Sequence, residues 1–161
     1  EVCALRWEDI DFRKAVLHVR STVARVRGTD GGTATRLIID TPKTKSSLRD
    51  IPLSRQLMAV LLPLYEKRRS EYVISDKSGF VSPRTYEYRF HRVLDRCGLP
   101  SINYHALRHT FATRCIELGV DVKTLSEILG HANVSTTLNT YVHSSMERKR
   151  EQLEKLFVES Y

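Results

Sequence analysis

Three cysteines, Cys3, Cys97 and Cys115, are all the sequence holds, and no two form a Cys-x-x-Cys pair. An odd number so widely spaced excludes a disulfide framework and predicts a reducing, cytoplasmic setting, with each thiol acting as a small core hydrophobe. No apolar run approaches the roughly 20 residues of a membrane helix. The opening EVCALRWEDID is acidic and amphipathic and has none of the marks of a secretory leader. Internal repeats, low-complexity tracts and linkers are lacking, so 161 residues predict one domain with a sizeable core. Glu1 is not an initiator methionine, which leads us to expect a fragment or a processed product.

Acidic residues are also in deficit: 26 Lys and Arg face 19 Asp and Glu, a formal charge of +7. Such a balance favours polyanions, nucleic acid first. The basic residues form several pieces (Lys43 to Arg49, Arg84 to Arg96, Arg148 to Arg150) rather than one tail, which suits a folded groove. With 41% hydrophobic and 28% charged residues, the composition is that of a globular chain.

Local signals predict a mainly α domain with a small antiparallel β-sheet near its start, an α+β arrangement. Residues 1 to 8 read as the tail of a helix. Ala15 to Val26, rich in β-branched residues but interrupted at Ser21, reads as a strand, as do Arg36 to Thr41 and Leu48 to Leu53. Gly28 to Gly32 reads as a hairpin tip. Ser54 can cap a helix running to about Arg69, with Pro63 as a kink or break. Ser82-Pro83 is an N-cap and first-turn proline for a helix to Cys97, closed by Gly98. Tyr104 to Leu118 should be helical and end at Gly119. Asp121 should cap a helix that Gly130 closes, and Ser135 a short one reaching Tyr141. A last amphipathic helix should begin at Ser144 or Ser145, with Leu153, Leu156 and Phe157 on one stripe.

Four pieces carry chemistry. His105-Ala106-Leu107-Arg108 places an imidazole and a guanidinium at i and i+3, on one helix face. Leu129-Gly130-His131 presents an imidazole at a helix corner, and Tyr141 follows ten residues later. Lys43 stands in the turn between two strands. Together these types suit metal-free phosphodiester transfer. A phenol is a poor nucleophile at neutral pH and needs a base and an activated phosphate. Arginine forks onto two phosphate oxygens and offsets transition-state charge. Imidazoles move protons or donate to oxygen, and a lysine can protonate the leaving 5′ oxygen. A covalent phosphotyrosine conserves the bond energy, so no cofactor is required.

HALRHTFAT, LGHANVSTT and LNTYVH resemble the signature of the tyrosine recombinases, the lambda integrase class. EVCALRWEDID is similar to the segment after that family's first active-site arginine, and PKTKSSLRDIPL to its β-hairpin with the catalytic lysine. The long polar hairpin and the TLNTY ending resemble integrases of conjugative transposons and phages. The resemblance implies a recombinase catalytic domain spanning 1–161, and strand exchange through a 3′-phosphotyrosine. Within that scheme Lys43 is general acid, His105 base or base-assistant, Arg108 phosphate clamp, His131 phosphate-oxygen donor and Tyr141 nucleophile. It also implies duplex DNA as partner, a homotetramer on DNA, and accessory excision or DNA-bending factors. The family's first arginine stands three positions before the residue matching Glu1, so this chain is expected to be truncated at its N-terminus and inactive alone. Lys45 competes with Lys43; Lys43 is favoured because it directly follows the second strand in a Pro-Lys-Thr pattern. Three other readings stand beside this one: a type IB topoisomerase-like enzyme, a DNA-binding regulator on an inactive scaffold, and a zinc site on His105 and His109, which lacks the glutamate of HExxH. The tail from Met146 to Phe157 could dock on a neighbouring protomer or fold back on its own domain.

Overall fold

The computed structural model describes residues 1–27, 35–41, 44–76, 79–141, 146, 150, 153 and 154, and the side chain of Lys45 is outside that description. The N-terminal segment is not a helix tail. It forms two 3-10 turns, Val2–Ala4 and Trp7–Asp9, followed by the short strand β1 (Ile10–Asp11). The reason is visible at Arg6 and Asp9. The Arg6 amide donates to the Asp9 carboxylate at 2.9 Å, and Arg6 bridges to Tyr72, which diverts the backbone from an α-helical path.

The long strand expected from Ala15 to Val26 is two strands in two sheets. β2 (Val16–Val19) lies between β1 and β5 (Arg49–Pro52). β3 (Thr22–Arg27) pairs instead with β4 (Thr35–Asp40), from Thr22 opposite Asp40 to Arg27 opposite Thr35. The switch falls at Arg20 and Ser21, the position where the apolar alternation breaks. The glycine-rich tip of the β3–β4 hairpin lies outside the described residues. A third pair, β6 (Ser75–Asp76) with β7 (Gly79–Phe80), had no counterpart in the sequence reading, because two-residue strands carry no periodicity.

The helices follow their punctuation closely. α1 (Arg55–Glu66) starts where the Ser54 hydroxyl accepts from the Leu57 amide, and it carries Pro63 inside its last turn before ending short of Arg69. α2 (Pro83–Arg96) is capped by Ser82, whose hydroxyl accepts from Thr85 N–H. α3 (His105–Glu117) and α4 (Val122–Leu129) end ahead of Gly119 and Gly130, both in the left-handed region. α5 (Val134–Tyr141) begins one residue earlier than Ser135. The Asn133 side chain accepts from the Ser135 amide at 2.8 Å and does the capping, since Asn is as good a cap as Ser. The final amphipathic helix, with Leu156, Phe157 and most of its length, lies outside the described residues. Among the described residues no helix is long and apolar enough to cross a membrane.

Two cores result. Trp7, Ile10, Leu53 and Leu61 pack α1 onto the three-stranded sheet, with Phe12, Leu17 and Tyr65 against them. Ala112, Ile116, Leu125 and Leu129 join α3 to α4, and the Tyr141 ring rests on this second cluster. Cys3 is buried as expected, but Cys97 is exposed at the C-cap of α2, so the thiols are not uniformly core residues.

Gly130 is the tightest joint. At φ 73° it sits where a side chain is strained, and an added Cβ would come within 3.0 Å of the Arg49 guanidinium and 3.1 Å of the Ser46 carbonyl. Gly119, at φ 81°, has nothing within 4 Å of that point. Gly119→Ala should therefore cost only the left-handed penalty of roughly 1 kcal/mol. Gly130→Ala should cost clearly more, because the Ser46 backbone must give way. Urea unfolding of the two variants checks this, with the larger drop in midpoint expected for Gly130→Ala.

Candidate active site

The C-terminus of α4 organises the site. Every helix ends with carbonyls that have no partner within the helix. Here Gly130 and His131 turn back in a Schellman arrangement: the Gly130 amide donates to Glu127 O at 3.0 Å and the His131 amide to Ser126 O at 3.1 Å. The next two carbonyls take guanidinium donors from elsewhere in the chain. Arg49 Nε donates to Ile128 O at 2.8 Å, and Arg108 donates to Leu129 O at 2.6 Å. The partial negative charge of a helix C-terminus favours both cations.

Arg49 reaches this place from β5, where it is the residue opposite Val19. Its side chain is only 11% exposed. Its two terminal nitrogens grip the Glu1 carboxylate at 3.1 and 2.9 Å, and one also donates to Ser47 O at 3.1 Å. Burial pushes the Glu1 carboxyl up, but the hydrogen bond and charge of Arg49, aided by Arg108, outweigh it and leave the pKa lowered. Neither Arg49 nor Glu1 figures among the residues picked from sequence. Both sit in stretches that resemble the family's, but the sequence assigns neither residue a role, and the pair is 48 positions apart.

Arg108 lies one turn after His105 on α3. Both help line a groove of about 850 Å³, together with Glu1, Arg49, Tyr104 and Phe111. His131 follows the corner, and its Nδ1 is 2.8 Å from the hydroxyl of the fully buried Thr137. Its pKa is lowered: burial disfavours the imidazolium, and the charges of Arg108, Arg49 and His105 add to the effect. When the Thr137 hydroxyl donates to Nδ1, Nε2 keeps its proton and can donate to an anion. Arg108, expected from sequence as phosphate clamp, and His105, expected as base or base-assistant, are thus both close enough to act electrostatically on His131, the expected phosphate-oxygen donor.

Tyr141 ends α5. Its phenol oxygen is 2.9 Å from His109 Nδ1, and the two rings lie 5.6 Å apart. His109 in turn meets His105 edge to face at 5.1 Å. Of the His105–His109 pair only His109 reaches the tyrosine oxygen, and among the described residues no group of three His, Cys, Asp or Glu could hold a metal ion. Lys43 lies outside the described residues, as does the side chain of its competitor Lys45. Both belong to the short connection between β4 and β5, immediately ahead of Arg49.

Comparison with known proteins identifies the family. The family model described as the phage integrase family matches residues 1–148. A tyrosine recombinase XerC-like protein of Caldanaerobacter subterraneus subsp. tengcongensis is 34% identical, aligned over 97% of this chain and 44% of its own length. The transposase from transposon Tn916 of Enterococcus faecalis is 27% identical over 97% of this chain and 41% of its own. The integrase of transposon Tn1549, solved in complex with a circular intermediate DNA, superimposes with a TM-score of 0.79 at 29% identity, over 97% of this chain and 53% of that one. The chain spans less than half the length of the curated relatives it matches. Its helices and small sheets are those of a tyrosine recombinase catalytic domain, and the chain belongs to the phage integrase family, among tyrosine recombinases of the conjugative-transposon and phage type.

Proposed function

We propose that the protein carries out site-specific recombination of duplex DNA, breaking and rejoining strands through a phosphotyrosine bond to Tyr141. The observation that carries this reading is the cationic cluster at the end of α4, where Arg108, Arg49 and His105 all act on His131. Within it only Glu1 carries a partnering carboxylate among the described hydrogen bonds, and that is taken by Arg49. A site with this excess of positive charge is suited to a phosphodiester.

In this scheme Arg108 clamps the non-bridging oxygens and stabilises the charge that builds on them. His131 donates from Nε2 to the same group, and His105 assists proton transfer from the groove wall. The phenol oxygen of Tyr141 attacks phosphorus, the bond to the 5′ oxygen breaks, and Lys43 supplies that oxygen with a proton. Reversal by a 5′-hydroxyl of the same or another strand reseals the DNA without nucleotide hydrolysis. Assembly as a tetramer on DNA, and control by excision or bending factors, extend the proposal to the whole protein. The same residues would serve strand relaxation by a type IB topoisomerase-like enzyme. The resemblance to conjugative-transposon integrases favours exchange between partners.

Tyr141→Phe in the full-length protein should abolish the covalent adduct on a nicked suicide substrate and leave DNA binding intact. An adduct surviving that change would rule out Tyr141 as the nucleophile. Lys43→Ala should cleave an ordinary strand at least about 100-fold more slowly, the usual loss for a general acid. A substrate with sulfur in place of the bridging 5′ oxygen should restore its rate, since a thiolate leaves without protonation. Lys45→Ala should show neither effect.

The lowered pKa of His131 gives a pH dependence with a definite sign. Near neutral pH the imidazole is uncharged, and a bound phosphate offsets the cations that hold it so. DNA binding should then take up a proton at His131, and affinity should rise as pH falls below about 6.5, the ordinary histidine value. His131→Asn should flatten this rise. Equal slopes of log Kd against pH in the two proteins would contradict the assignment.

A further inference from the structure

The hydrogen bond made by the Tyr141 phenol has a consequence for the proton that must leave it. Positions i and i+4 of a helix lie one above the other on the same face, so His105 and His109 share one face of α3. α5 is held against α3 by the second core, on which the Tyr141 ring rests. It is also fixed one turn earlier, where buried Thr137 meets His131. These two restraints bring the phenol oxygen to 2.9 Å from His109 Nδ1. A neutral phenol is the donor in such a pair, so Nδ1 accepts and Nε2 carries the imidazole proton. His105 touches the His109 ring edge, and its role in the groove wall does not include the phenol oxygen.

We infer that His109 is a catalytic residue of this site, the acceptor of the Tyr141 proton during strand cleavage. The inference rests on the reading of Tyr141 as nucleophile. As the bond from the phenol oxygen to phosphorus forms and the bond from phosphorus to the 5′ oxygen breaks, the phenol proton passes to His109 Nδ1, giving an imidazolium. The 5′ oxygen takes its proton from Lys43. Strand rejoining runs the same transfers backwards: the departing phenolate recovers its proton from His109, and Lys43 recovers its own from the attacking hydroxyl. The distance satisfies the geometric requirement for a general base, which comes before any question of its ionisation. Because His109 is exposed, replacing it should leave the fold in place.

Adduct formation by the full-length protein on a nicked suicide DNA tests this. His109→Ala should slow the step by about 100-fold or more, with DNA affinity unchanged, and free imidazole in the buffer should restore much of the rate. His109→Asn offers an oxygen near the place of Nδ1 that can accept the bond but keep no proton, and it should stay slow. The 5′-sulfur substrate should not help either variant, since their defect lies at the attacking oxygen. The proposal is overturned by a normal rate in His109→Ala or His109→Asn, by recovery of His109→Ala on the sulfur substrate, or by a His109→Ala that free imidazole leaves slow. An adduct from Tyr141→Phe would instead sink the underlying nucleophile assignment, so the two failures are separable.

Discussion

Two leftover carbonyls at the end of α4 are the constraint around which the site is built. A helix that stops at a left-handed glycine leaves its last acceptors facing outward. Ile128 O and Leu129 O hold the guanidiniums of Arg49 and Arg108, which arrive from a strand and from a different helix. Each bond is charge-assisted and partly buried, the class of hydrogen bond that is most costly to leave unmade. The end of one short helix therefore sets the relative position of β5, α3 and the His131 corner. It also explains the closeness of packing at Gly130, where Arg49 and the Ser46 carbonyl stand in the space a side chain would need.

Arg49 links this joint to the rest of the domain. Its grip on Glu1 ties down the N-terminal segment, and its bond to Ser47 O stiffens the exit of the connection that carries Lys43 and Lys45. Exposed ion pairs contribute little to stability, but this one is doubly hydrogen-bonded and largely shielded on the arginine side. Its value lies in position: the donors are held in place by the fold itself, which is the condition under which electrostatic stabilisation lowers a barrier. The cost is a crowd of positive charge, which adds to burial in lowering the His131 pKa.

The attacking and leaving sides of the proposed chemistry are built differently. Tyr141 is held by its ring on the α3–α4 core and by its oxygen on His109, so the proposed nucleophile belongs to the helical half. The lysines stand on the connection between two strands, tethered at its far end by Arg49. In the proposed scheme a long cation on a short connection suits a group that has to follow a leaving oxygen, whereas the phenol has to meet phosphorus in line.

The sequence alone determined what depends on neighbours a few residues away. Ser54, Ser82 and Asp121 cap their helices through their own side chains, and Gly98, Gly119 and Gly130 end helices because each adopts positive φ at little cost. The mixed helix-and-sheet class and the identities in HALRH, LGH and NTY were legible for the same reason, since motif and spacing are local. Asn133 rather than Ser135 caps α5, and the single strand read over Ala15 to Val26 is two because its halves pair with partners in different sheets. Only the folded structure brought Arg49 to Glu1 and Ile128, 48 and 79 positions away, and set His109 under the Tyr141 oxygen, 32 positions away. The neighbours of Arg49 and His109 do not show what either residue bonds to, because a guanidinium or an imidazole becomes part of a site only through what the fold places within hydrogen-bonding distance.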